Sequence, residues 1–132
     1  MNLHIRLPLP PQELHPNHRC HPMARTRLTK KARTNARLLS QVALDRNPKP
    51  YWPRVQIRVT WFFTVDRRRD ERNLDAWLKA YVDGIVDAGV MIDDSPKVVE
   101  WLPTRMIHGK NRKDEVLFTI TPIHGQTAEN SQ

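Results

Sequence analysis

The segment "DRRRDERNLD", Asp66 to Asp75, holds four acids and four arginines directly after a hydrophobic run. Carboxylates so grouped can hold a hard divalent cation, and arginines beside them can hold a phosphate. Asp70 is placed just past a strand and before a helix. Asp75, Lys79 and Asp83 recur at i, i+4 and i+8 on that helix, a stripe apart from its apolar one. Asp93 and Asp94 follow its C-terminus. Mg²⁺ takes such carboxylates and keeps positions open for the water that attacks a phosphodiester. A lysine near them neutralises charge on the phosphate. Each group also has a plain structural use: Asp70 can cap a helix, Asp75 and Lys79 can form an i, i+4 ion pair, and Asp93-Asp94 can shape a turn. The helix is about 22 Å long at 1.5 Å per residue. Asp70 and Asp94 therefore meet only if the chain after the helix folds back along it, or enters a strand beside the preceding one. A right-handed crossover favours the second route.

A competing constellation is His15, His18, Cys20 and His21 in "HPNHRCHP". Zinc sites draw two ligand pairs from separate segments, and here His108 and His124 stand apart from a single cluster. The histidines read as polar residues of a basic loop. Four glycines in the chain build neither a P-loop nor a dinucleotide fingerprint. No signature of a nucleophilic Ser or Cys triad is present.

The elements that must position these groups follow from periodicity. Leu3, Ile5, Leu7 and Leu9 alternate with polar residues and predict a strand with one buried face, ended by Pro10-Pro11. Residues 12–24 read as a loop. A helix is expected from about Arg25 to Ala43, with Leu28, Ala32, Leu39 and Val42 on its apolar face. Its other faces carry Lys30, Lys31, Arg33 and Arg37, and no acid occurs between Glu13 and Asp45. That bias points to polyanion contact; the alternative is a solvated helix face. After the connector "DRNPKPYWP", alternation from Val55 to Val65 predicts the strongest strand. A second helix is expected over Leu74–Ala88, with Leu74, Leu78, Tyr81, Ile85 and Ala88 as its stripe and Gly89 as a left-handed C-cap. Val98 to Ile107 reads as extended and interrupted at Pro103, "HGKNRKD" as a basic hairpin loop, and Val116 to Thr121 as the last strand. The order β-α-β-α-β-β predicts an α+β fold: a small mixed β-sheet with two main helices on one face. Residues 1–122 form one domain in this reading, and 123–132 a polar, mobile tail.

Composition bounds the function. The 132 residues carry a net charge of +8 and are 39% hydrophobic, with four tryptophans and a single cysteine. A basic excess of this size points to nucleic acid. One cysteine suits a reducing compartment. No apolar stretch approaches the roughly 20 residues of a membrane span, and the N-terminus lacks the pattern of a signal peptide, so a soluble cytoplasmic protein is expected. Most aromatic residues sit on strand faces that read as core, against a base-stacking platform.

"LPLPPQELHPN", "RRRDERNL" and "LKAYVDGIVDAGVMIDDSPKVV", with the closing basic loop, together resemble the RusA-type Holliday-junction resolvases over about residues 3–121. The family's pattern is Asp-x-Asp-Asn-Leu after a strand, a helix bearing Lys and Asp-Gly or Asp-Ala, then a late Asp-Asp. The resemblance implies a small basic homodimer, a Mg²⁺-dependent endonuclease that cuts four-way DNA junctions symmetrically, bacterial or encoded by a phage in a bacterial host. It places Asp70, Lys79 and Asp94 in catalysis, and Asp70, Asp75 and Asp94 around the metal. Arg72 stands where the motif has its second aspartate. A second register puts Asn73 and Asp75 at the two acidic positions; the first aligns both "RRRD" and "NL" and is preferred. DNA contacts are expected from Arg67, Arg68, Arg69 and Arg72 at the rim of the site, and from Lys30, Lys31, Arg33 and Arg37 on the first helix. The alternative is a junction- or branched-DNA-binding protein of the same fold, with catalysis weakened or lost through Arg72. A further rival is a generic basic nucleic-acid-binding protein.

Overall fold

The computed structural model of the chain describes residues 2–65, 71–110 and 113–124. Strand β1 (Leu3–Pro8) buries Leu3, Ile5 and Leu7 and exposes His4 and Arg6, as the alternation predicts. Its proline-rich exit leads into a single 3-10 turn (Gln12–Leu14). Two helix side chains hold that exit. The Tyr81 hydroxyl donates to the Pro8 carbonyl, and Trp77 Nε1 donates to the Pro11 carbonyl, each at 2.8 Å.

Helix α1 (Pro22–Leu44) begins three residues before the predicted start. Pro22 has the fixed φ that a first turn needs. His21 caps it: its Nδ1 accepts from the Met23 N–H at 3.1 Å. The predicted apolar face is corrected. Ala32 is buried, but Val42 is 72% exposed, and the buried stripe is Ala32, Ala36, Ser40 and Leu44. The reason is the closeness of the next helix. A Cβ placed on Gly84 would lie 2.7 Å from the Ala36 Cβ, and Ala80, Gly84 and Ala88 repeat the same four-residue spacing opposite. Small residues are buried here because two backbones approach, which a count of large apolar side chains does not register.

The predicted Leu74–Ala88 helix is divided at Leu78 into α2 (Glu71–Trp77) and α3 (Lys79–Asp87). There the Leu78 N–H bonds the Asp75 carbonyl at 3.1 Å, a tight i→i−3 turn. The stripe survives the break: Leu74, Leu78, Tyr81, Ile85 and Ala88 are all buried. Gly89 follows with φ +84°, the left-handed conformation expected of it.

Strand β2 (Val55–Phe63) is central. β3 (Val99–Trp101) and β4 (Arg105–His108) lie parallel along one of its edges, in succession, and β5 (Glu115–Pro122) lies antiparallel along the other, between β2 and β1. Pro103 interrupts the β3–β4 edge, as predicted. The basic hairpin is corrected: β4 and β5 flank β2 from opposite sides and do not pair with each other. β2 carries Thr60 and Phe62 buried on one face and Trp61 and Phe63 on the other. A strand buried on both faces needs partners for its backbone along both edges, and a β4–β5 hairpin would supply only one. Asn111 and Arg112, within that connection, lie outside the described residues.

The result is an α+β fold with a five-stranded mixed sheet. Its helix-covered face packs Val55, Ile57, Val59, Trp61, Val116, Phe118 and Ile120 into one core with β1 and the helices. Trp61 lies between Phe63 and Trp77 in a stack with ring centres 5.7 and 5.8 Å apart. No helix among the described residues is long and apolar enough to cross a membrane. Of the expected tail, residues 125–132 lie outside the described ones.

Candidate metal and phosphate site

Lys79 opens α3 beside the edge of the sheet. Its Nζ lies 2.9 Å from Asp83 Oδ1, one helical turn on, and 3.0 Å from Asp94 Oδ2, fifteen residues on. Backbone pairing explains how Asp94 returns to the start of α3. After Gly89 reverses the chain, Tyr51 N–H donates to the Gly89 carbonyl at 2.8 Å, Trp52 N–H to that of Val90 at 3.0 Å, and Ile92 N–H to that of Trp52 at 3.1 Å. Residues 89–92 thus run beside 51–52 and lead toward β3. Both routes considered for Asp94 operate together: the chain folds back along α3, and the next strand pairs beside β2.

Asp93 and Asp94 have separate tasks. Asp93 Oδ1 accepts from the Ser95 N–H at 2.8 Å and closes the turn. That hydrogen bonding holds the Asp93 carboxyl below its ordinary range. Asp94 faces Lys79. Hydrogen bonds to Asp83 and then Asp94 hold the Lys79 ammonium above its ordinary value, so it stays charged.

Lys79 and Asp94 line a cleft of about 820 Å³ with Asp75. Val59, Leu78 and Val82 line the same cleft, and the run from Trp101 to Thr104 forms its far wall. Lys79, Asp94 and Asp75 are therefore together. Asp70, Arg67, Arg68 and Arg69 lie outside the described residues. Arg72 falls in the first turn of α2, and its side chain is likewise outside them.

On α1, Lys30 and Lys31 are exposed. Arg33 is engaged elsewhere: its Nε and Nη2 donate to the two carboxylate oxygens of Asp87 at 2.5 and 2.9 Å, tying α1 to α3. The pairing raises the Arg33 guanidinium further and holds the Asp87 carboxyl below its ordinary range. Arg37 adds its charge near the same carboxylate. The histidine cluster has local uses. His15 Nδ1 accepts from the Asn17 N–H at 3.1 Å, its ring meets Trp77 edge-on at 5.2 Å, and His21 caps α1.

Asp83 reads in the sequence as part of the stripe with Asp75 and Lys79, without a place among the metal ligands, and the structure sets it against Lys79. One group at the site was not singled out from the sequence. Trp101 was legible only as one of two alternating apolar residues, Val99 and Trp101, in a short strand.

Asp83 and Asp94, from different segments, meet at the Lys79 ammonium. Their oxygens are hard donors of the class that Mg²⁺ takes, one or two carboxylates with water and phosphate oxygens commonly completing its shell. Among the described residues no three histidines, cysteines or acids are close enough to form a metal site by themselves. Compared with known proteins, the chain matches no protein-family model and no curated sequence.

Proposed function

We propose that the protein is a Mg²⁺-dependent, structure-specific endonuclease of the RusA kind, acting on four-way or branched DNA as a homodimer. The observation that supports this reading best is Lys79 bridging Asp83 and Asp94 in a cleft that Asp75 also lines, on a chain of net charge +8. Asp94 and Asp83 would hold the ion, with Asp75 and Asp70 as further carboxylates. The ion supplies an activated water and charge neutralisation at phosphorus. Lys79 is the group that can turn from the carboxylates to a phosphate oxygen, where negative charge grows in the transition state. Exposed Lys30 and Lys31 serve as backbone contacts. A four-way junction has two-fold symmetry, and two symmetric cuts call for two copies of the site.

The reading is tested with a labelled mobile four-way junction, a linear duplex, Mg²⁺ and EDTA, with light scattering for the oligomeric state. Symmetric nicks in the junction with Mg²⁺ alone are expected. Equal binding of junction and duplex without nicks would overturn it. Arg72, in place of a motif aspartate, favours one second reading: a junction-binding protein whose catalysis is weakened. Junction-selective binding without nicks supports that outcome. Nicking restored in Arg72→Asp would assign the weakness to that position.

A further inference from the structure

One wall of the cleft carries an exposed tryptophan. Trp101 is opposite Ile57 in the parallel β2–β3 register, which sets its side chain on the helix-covered face of the sheet. Val55, Ile57, Val59, Trp61 and Phe63, on the same face of β2, are buried. Trp101 is 47% exposed, because β3 is an edge strand and the cleft separates it from α2 and α3.

The wall is held firmly. Leu102 N–H donates to the Ile57 carbonyl at 2.9 Å, and Arg58 Nη1 donates to the Pro103 carbonyl at 2.7 Å. The indole is therefore presented from a backbone anchored just after it. Across the cleft stand apolar Val59, Leu78 and Val82, and beside them the charged Lys79 and Asp94. A volume of about 820 Å³ lies within the range of small-molecule sites.

A flat aromatic wall, an apolar lining and a charged lysine together suit one nucleotide. We propose that this cleft receives a single unstacked nucleobase of branched DNA, laid against Trp101 while Lys79 meets the adjoining phosphate. The proposal rests on the nuclease reading and adds to it a means of recognising the branch. Stacking a base on an aromatic ring contributes about 1–3 kcal/mol, and taking a base out of a duplex costs a few kcal/mol. In a continuous duplex the two offset each other. At a branch point the base is already partly unstacked, so the gain favours branched DNA. Trp101 is thus a specificity residue, and it does not touch the reacting atoms.

The test is a coupling measurement in EDTA, where no strand is cut. Affinity is measured for junctions with one abasic nucleotide moved stepwise around the crossover, and for linear duplex. Wild type is compared with Trp101→Ala, Trp101→Leu and Trp101→Phe. Trp101→Ala and Trp101→Leu should each lose about tenfold in junction affinity, the equivalent of 1.4 kcal/mol, with duplex affinity unchanged. Trp101→Phe should retain most of it. One abasic position should weaken wild type to the level of Trp101→Ala and leave that variant unaffected. Leucine fills the wall without a ring, so its matching alanine separates stacking from packing. If wild type prefers the junction and no abasic position couples to Trp101, the base-pocket proposal is overturned and the nuclease reading stands. If wild type has no preference for the junction, both fall.

Discussion

At the turn after α3, Asp93 accepts from the Ser95 N–H at 2.8 Å, while Asp94 lies 3.0 Å from Lys79. Asparagine keeps the oxygen that closes the Asp93 turn, so Asp93→Asn should cleave junctions at close to the wild-type rate. Asp94→Asn removes a charge that, under the proposed function, faces the reacting centre. It should lower cleavage about 10²–10³-fold and leave junction binding in EDTA unchanged or tighter, in line with losses of a single electrostatic group elsewhere. Equal rates for the two variants would remove Asp94 from the site. Tyr81 gives a test of a different kind. Its hydroxyl donates to the Pro8 carbonyl, and burial pushes its pKa up to about 12. The folded value lies above the unfolded one, near 10, so the contribution is fully present below pH 10 and is lost as pH rises toward 12. Two units correspond to about 2–3 kcal/mol. Urea unfolding of wild type should lose about that much more stability between pH 9 and pH 12 than Tyr81→Phe does. Parallel losses in the two proteins would show that the hydroxyl is open to solvent. "LPLPP" and "LKAY" were readable as separate motifs in the sequence. That one hydrogen-bonds the other was not, because Pro8 and Tyr81 are 73 positions apart and the chain between them carries no local record of the contact.

Elements of this chain were legible where one strong period governed them. β1 and the stripe of α2–α3 each bury one regular face, β2 buries its Val55–Phe63 odd-numbered face throughout, and burial enforces the period. Legibility failed where tertiary packing set the pattern. On α1 the large residues Leu39 and Val42 face outward while Ala32, Ala36 and Ser40 are buried, because α3 meets this helix backbone to backbone. The expected hairpin failed for a related reason: the pairing needs of β2, remote in sequence, decide which strands become neighbours. Gly84 carries the element-scale prediction. A Cβ there would approach Ala36 Cβ at 2.7 Å and Arg37 N at 3.0 Å, and the neighbour at the second contact is rigid helix backbone. Gly84→Ala should destabilise the protein by about 1–3 kcal/mol despite alanine's better helix propensity. Denaturant unfolding measures it. A neutral or stabilising effect would show that α1 and α3 can separate freely. Asp83 adjoins this glycine, so the same substitution shifts the Lys79–Asp83 end of α3, and cleavage should fall with stability.

Across the whole molecule the +8 charge is unevenly available for a partner. The acid-free run of α1 was read as a basic face of Lys30, Lys31, Arg33 and Arg37, yet Asp87 holds Arg33 through both carboxylate oxygens. The sequence showed no acid near α1 because the acid that matters lies on α3. Lys30 and Lys31 are exposed, and they are the residues of this group best placed to meet DNA phosphates. Each phosphate contact made by a cation releases condensed counterion, so log affinity falls with log salt by about 0.9 per contact on duplex DNA. Lys30→Ala with Lys31→Ala should therefore flatten the salt slope for duplex binding by about 2, with stability little changed. Arg33→Ala should do the opposite. It removes a half-exposed, bidentate pair, which contributes about 0.5–1 kcal/mol, and should change the slope little. Fluorescence anisotropy across a NaCl series reads the slopes, and urea unfolding reads the stabilities. The Arg33 loss should fade as pH falls through the depressed pKa of Asp87, since protonating that carboxyl ends the pair in wild type as well. An unchanged slope in the double lysine variant would show that α1 faces away from the nucleic acid. A flattened slope with Arg33→Ala would mean that the arginine leaves Asp87 for phosphate when DNA binds, making α3 and its site responsive to the occupation of α1.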